Sequence, residues 1–211
     1  MPRLTQAGVA AALRELAGRD ADIARAMAVS AKIPRMRRTP PGFPGLMDII
    51  VDQQVSKASG AAIRGRLHAA VEPLTAEAFL RLGDDDLRAI GFSRQKMRYG
   101  RALADAVISG RLNVRAIARM PEEEAIAALT EIPGIGRWTA EIYLMFALGR
   151  PDVWPADDLA IVVAVQRLFG LPDRPKRPEM LARAEPWRPA RTSAAVLLWR
   201  YYKITGRSGM T

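Results

Sequence analysis

Almost nowhere in these 211 residues do β-branched residues alternate with polar ones; Ala, Leu, Arg and Glu recur at helical spacing nearly from end to end. Apolar positions three and four apart line one face of a helix, whereas a half-buried strand needs a period of two. The pattern predicts an all-α protein. Helices are expected near 5–17, 20–29, 45–56, 59–71, 75–82, 84–90, 94–109, 121–129, 179–185 and 190–204, with Asp20, Ser93 and Pro121 as start signals. Two basic, proline-rich breaks at 32–45 and 171–178 interrupt them, since proline lacks the N–H and forbids the preceding turn. The first carries four prolines and marks a lobe boundary.

The chain is long enough for one large domain or two small lobes. With 49% hydrophobic and 26% charged residues it is expected to pack a core. Its 32 Lys and Arg against 22 Asp and Glu give a net charge of +10, spread along the chain, which favours a polyanionic partner with an extended face. A ribosomal protein or a binder of anionic membranes would carry the same excess. The absence of cysteine excludes disulfides, cysteine zinc sites, iron-sulfur clusters and thiol nucleophiles. The single histidine, His68, reads as a helix-surface residue. No uninterrupted apolar stretch approaches the roughly 18 residues of a membrane span, and the run from Ala7 to Leu13 makes a poor signal peptide. A soluble, cytoplasmic monomer is expected.

The most informative segment runs from Leu129 to Ala140, Leu-Thr-Glu-Ile-Pro-Gly-Ile-Gly-Arg-Trp-Thr-Ala, between two helical patterns. Pro133 ends the first helix, Gly134 and Gly136 permit a tight turn and close approach, and Ile132 and Ile135 anchor the turn. The amides after Ile135 open a new helix, and such amides form a phosphate cradle. Taken alone, Pro-Gly-x-Gly reads as an ordinary turn between helices. Twenty-two residues beyond Gly136 lies Trp154-Pro155-Ala156-Asp157-Asp158-Leu159-Ala160-Ile161, at the start of another helical run. Taken alone, both aspartates read as helix caps.

Hairpin and carboxylate together resemble the helix-hairpin-helix (HhH-GPD) DNA glycosylase superfamily. Trp before Thr-Ala is similar to its 3-methyladenine DNA glycosylase II branch, in a compact form without the N-terminal β domain. The resemblance runs from about Leu46 to Trp199 and includes Glu185-Pro186-Trp187-Arg188-Pro189, although the following Ala190-Arg191-Thr192-Ser193 departs from the family's usual continuation. It implies a monofunctional glycosylase that flips an alkylated base out of duplex DNA, hydrolyses its N-glycosidic bond and leaves an abasic site. Asp158 is the implied catalytic carboxylate, with Asp157 left to cap the helix. Trp138 stands where bifunctional relatives carry the Schiff-base lysine.

The same resemblance implies a base pocket of Trp138, Trp199 and Tyr143, the last one position away from a family pocket tyrosine. It implies a wedge at Gln54 or its neighbour Gln53, and phosphate contacts at Gly134, Gly136, Arg137 and Thr139. Arg94 and Lys96 are further candidate phosphate contacts. The carbonyls of Thr130, Ile132 and Ile135 are the implied ligands of a structural Na+ or K+; no cofactor is expected to take part in the chemistry. Two helical lobes follow, 42–152 with the hairpin at 129–149, and 1–41 with 153–211 carrying Asp158, the cleft lying between them. The competing readings are a DNA-binding helix-hairpin-helix module without chemistry and a glycosylase for deaminated or mismatched bases.

Overall fold

The computed structural model describes residues 3–207. Among these, the regular structure is all helical. The helices are α1 (Gln6–Arg19), α2 (Ala21–Ser30), α3 (Phe43–Asp52), α4 (Lys57–Ala70), α5 (Ala76–Leu80), α6 (Asp84–Ile90) and α7 (Arg94–Ile108). They continue with α8 (Val114–Ile117), α9 (Glu122–Thr130), α10 (Arg137–Phe146), α11 (Leu159–Phe169), α12 (Arg177–Ala184) and α13 (Arg191–Arg207), with a 3-10 turn at Glu185–Trp187. No described helix is long and apolar enough to cross a membrane.

The caps follow the chemistry of the side chains. Asp20 accepts from the amides of Asp22 and Ile23, and Ser93 from that of Lys96, so both start signals serve as N-caps. Prolines keep 32–42 free of helix as expected. The helix expected over 45–56 instead ends at Asp52, and α4 begins four residues after Gln53, at Lys57, with Ser56 as its cap. Residues 53–56 are therefore a turn, with Gln54 in the left-handed region at φ 55°. The short α8, capped by Asn113, escaped the periodicity because four residues show no period.

The chain forms two units, Thr39–Tyr143 and the pair Met1–Arg38 with Leu144–Thr211. The outermost residues 1–2 and 208–211 lie outside the described residues. Sequence reading places the second boundary at 152/153, whereas the chain changes unit within α10 at 143/144. Nothing in the side chains of α10 marks the change: the helix runs unbroken to Phe146, and the ring of Phe146 lies 5.7 Å from that of Trp199 in α13.

In the central unit α7 packs against α3 and α5 around Phe79, whose ring lies near Phe43 and Phe92 at 6.1 and 5.9 Å. Gly100 makes room for it, since a Cβ there would sit 2.7 Å from the Phe79 ring. In the other unit α1, α2, α11 and α13 enclose Val9, Leu13, Ile23, Val165, Leu197 and Leu198. Trp187 of the Glu-Pro-Trp-Arg-Pro segment is core: it stacks edge-on against Trp154 at 5.3 Å and donates to Asp20 at 2.7 Å. The departure after that segment is structural too. Buried Arg191 grips the Asp152 carboxylate and carbonyl, and Thr192 bonds the carbonyl of Arg150, fixing the start of α13.

Candidate active site

The sequence-predicted residues fall into two groups, one in each unit. In the unit containing α11 and α13, Asp158 is the N-cap of α11, its Oδ1 accepting from the Ile161 amide at 3.0 Å. The same oxygen accepts from the indole Nε1 of Trp199 at 3.0 Å. A carboxylate at a helix N-terminus sits in a favourable dipole and keeps its charge in a fixed orientation. Asp158 retains 8% exposure, and the next residue, Leu159, is 60% exposed. Phe146 backs the indole from its other neighbour helix, α10. Sequence reasoning missed the contact of Phe146 with Trp199, because Phe146 reads as core of α10.

Asp157 does not cap α11. It is half exposed and paired with Arg177 of α12, so the capping expected of it passes to Asp158.

In the central unit the segment between α9 and α10 is the expected tight turn. The amide of Ile135 bonds the carbonyl of Ile132 at 3.0 Å, that of Ile132 bonds Leu129 at 3.2 Å, and both isoleucines are buried. Gly134 takes φ 90°, and a Cβ on it would lie 2.3 Å from the Tyr99 ring. Gly136 is the opposite case: a Cβ there would meet nothing within 4 Å, so this backbone faces open space. Trp138, in the first turn of α10, is 41% exposed.

Several expected contacts are corrected by burial. Tyr143 has no exposed surface, and its hydroxyl accepts from the Gly42 amide at 2.9 Å, so it is core and not pocket wall. Burial accordingly raises its pKa, with the Gly42 bond opposing. Thr139 is 4% exposed and its hydroxyl accepts from Gln53 Nε2 at 3.2 Å, so its side chain supports the turn. Arg137 is engaged by Glu123 and, at 3.1 Å, by Glu141, which raise its pKa, the Glu123 bond most. A phosphate would have to displace Glu123. His68 bonds Asp48 at 2.9 Å at the edge of α4.

Lys96 is the largest correction. Far from reaching solvent, its ammonium donates to the carbonyls of Ile50 at 3.2 Å, Val51, and Gln53 at 2.7 Å. These carbonyls lie at the C-terminal end of α3 and in the turn after it, that of Ile50 also accepting from the Gln53 amide, and burial lowers the Lys96 pKa. Gln53 is held a second time, its Nε2 donating to the Gly134 carbonyl at 2.9 Å as well as to Thr139. Gln54, next along, is exposed. Of the two glutamines, one is tied to the hairpin and the other presents its side chain to solvent.

Residues 47–189 match the family described as HhH-GPD superfamily base excision DNA repair protein, more than half of the chain. The chain belongs to this family. As an HhH-GPD protein it is 44% identical over 119 residues to DNA-3-methyladenine glycosylase 1 of Schizosaccharomyces pombe, covering 56% of this chain and 52% of that protein. It thus spans about half the length of that relative. In three dimensions it is similar to the Schizosaccharomyces pombe 3-methyladenine DNA glycosylase (Mag1) in complex with abasic DNA. The TM-score is 0.79 at 33% identity, covering 90% of this chain and 95% of that one. It is also similar to a DNA-3-methyladenine glycosidase from Bacillus halodurans, at TM-score 0.74 and 31% identity over 82% and 81% of the two chains.

Within this HhH-GPD chain the Gln53 amide is the join between the 53–56 turn and the hairpin. Gln53→Ala removes two side-chain hydrogen bonds and is expected to cost about 1–3 kcal/mol of stability. Urea denaturation measures it; an unchanged midpoint would show that the two segments are held together by other means.

Proposed function

We propose that this protein is a monofunctional DNA glycosylase that removes alkylated purines of the 3-methyladenine and 7-methylguanine type from duplex DNA. The observation that supports it most is the bond from Trp199 Nε1 to Asp158 Oδ1. It joins a fixed negative charge to an aromatic wall, the two things a positively charged leaving base and its sugar require.

The hairpin backbone at Gly134–Gly136 grips a phosphate through its open face and the helix terminus behind it. Gln54, held in its left-handed conformation on the exposed turn, fills the gap left in the stack, at a cost in unstacking of roughly a few kcal/mol. A cationic alkylated base lies against the Trp199 indole and gains about 0.5–2 kcal/mol over a neutral one. The exposed indole of Trp138 is the second aromatic contact. As the bond from C1′ to the base nitrogen breaks, its electron pair leaves with the base and positive charge grows on the sugar, where the Asp158 carboxylate stabilises it. Water oriented by the same carboxylate adds to C1′, and a proton is lost, leaving an abasic site. Trp138 has no amine to form a Schiff base, so the strand is left intact.

A Na+ or K+ at the carbonyls of Thr130, Ile132 and Ile135 belongs to the same reading. The neutral oxygen donors suit a monovalent ion, and Pro133 has no N–H with which to satisfy the Thr130 carbonyl. Such an ion would add positive charge behind the phosphate grip. The protein acts as a monomer in the compartment that holds DNA.

Purified protein incubated with methylated duplex DNA is expected to release methylated purines, identified by chromatography, and to leave strands that break only after alkaline treatment. Breakage without alkali would overturn the monofunctional assignment. Release of deaminated or mismatched bases alone would change the substrate class, and no release from any of these duplexes would leave a binding module.

A further inference from the structure

Helix α7 supports the grip from behind. Its Lys96 holds the carbonyl of Gln53, and its Tyr99 lies against Gly134. Another face of the same helix is basic. Arg94, Arg98 and Arg101 follow at spacings of four and three, which puts them in one row. With Arg88 of α6 they line an open hollow of about 490 Å³, rimmed also by Asp84 and Asp105. Arg101 is paired with Asp84 at 2.7 Å and Arg88 with Asp85, while the guanidinium of Arg98 lies 5.4 Å from the centre of the Tyr99 ring. The ring that supports the hairpin therefore carries an arginine of this row on its face, and row and hairpin are continuous.

A hollow of this size would suit a small molecule, but ligand pockets for such molecules are mostly apolar. Four guanidinium groups against three carboxylates, Asp84 and Asp105 on the rim and Asp85 on Arg88, leave net positive charge that selects an anion, and the open form selects an extended one. Arg94 and Arg98 stand about 6 Å apart along the axis of α7, a step on the scale of successive phosphates in one strand. Both are exposed, and arginine forks bind phosphate with two parallel bonds.

We infer that the α7 arginine row is a second DNA-backbone site, separate from the hairpin, that holds the phosphates of the duplex flanking the gripped nucleotide. The inference rests on the reading of the chain as a DNA-acting protein. Arg94 and Arg98 supply the phosphate contacts, and Asp84 orients Arg101 beside them. The row contributes affinity without sequence preference, because backbone contacts carry no base information.

The test compares Arg94→Gln/Arg98→Gln with Arg14→Gln/Arg111→Gln, which removes the same charge from exposed positions on α1 and beyond the far end of α7. Fluorescence anisotropy measures Kd for an undamaged duplex of two helical turns between about 50 and 200 mM salt. The α7 variant is expected to lower the slope of log affinity against log salt by about 0.9 per phosphate lost, near 1.8 for the pair, while the control keeps the parent slope. Arg94→Lys/Arg98→Lys, which keeps the charges, is expected to restore most of the slope. An unchanged slope in the α7 variant, or an equal loss in the control, would overturn the second site. So would binding of a short acidic peptide that the α7 variant loses while its duplex slope stays intact. Because the duplex is undamaged and no base release is read, the result stands apart from the glycosylase assay.

Discussion

Asp158→Asn is expected to lower single-turnover release of methylated purines by at least on the order of 10²-fold, about 2.7 kcal/mol in the barrier, with duplex binding unchanged or tighter. The substitution is a clean one. Asparagine is as good an N-cap as aspartate, and its amide oxygen still accepts from the Ile161 amide and the Trp199 indole at the positions now taken by Oδ1. Cap, indole and fold are retained; the negative charge alone is removed. If the rate loss is electrostatic, it follows the charge and not the geometry. On the proposed reading, binding is carried by phosphate contacts that the variant leaves in place, and one fewer anion near DNA favours association. Full activity in this variant would remove Asp158 from the chemistry, whereas a matching loss of binding would make it a structural residue.

The second large effect belongs to Gly134. Alanine there must adopt φ 90° and must place its Cβ 2.3–2.8 Å from three atoms of Tyr99, two in the ring and the Cβ. The left-handed conformation costs about 1–2 kcal/mol and the overlap about 1–3 kcal/mol more. Gly134→Ala is therefore expected to lower Tm by on the order of 10 °C and to weaken duplex binding at least tenfold as the turn shifts. Tyr99→Ala in the same chain should recover part of the loss by removing the ring, but not the conformational part. Gly136→Ala provides the contrast, for its Cβ meets no protein atom. It is expected to leave Tm unchanged and still weaken binding, because the methyl stands where a phosphate would approach. Equal thermal shifts for the two alanine variants, measured by calorimetry, would show that the turn is not supported as described.

Much of this was legible in the residues themselves. Helical spacing predicts the fold class, Asp20 and Ser93 announce their helices, and Pro-Gly-x-Gly between helical patterns locates the hairpin. The N-cap role of Asp158 is legible at its helix start, whereas its reading as the catalytic carboxylate rests on the family resemblance. What escaped was every feature decided by partners distant in sequence. Lys96 looks like a surface cation until its carbonyl partners, more than forty residues away, are in place. Arg137 looks available to phosphate until Glu123 folds back on it. The turn at 53–56 hides because Val55 continues an apolar period; the chain breaks there only because α3 ends at Asp52 and Gln54 adopts positive φ. Tyr143 carries a polar atom that suits a pocket, and its burial is set by Gly42, a hundred residues earlier.

The Lys96 clamp grips main-chain oxygens alone. A tip mounted in that way can exchange its side chain without rebuilding its mount, among residues that tolerate the left-handed backbone at position 54. If Gln54 is the side chain that enters the double helix, it is an interchangeable bit in a fixed chuck, and new gap-filling chemistries can be tried at that position while the rest of the tool stays true.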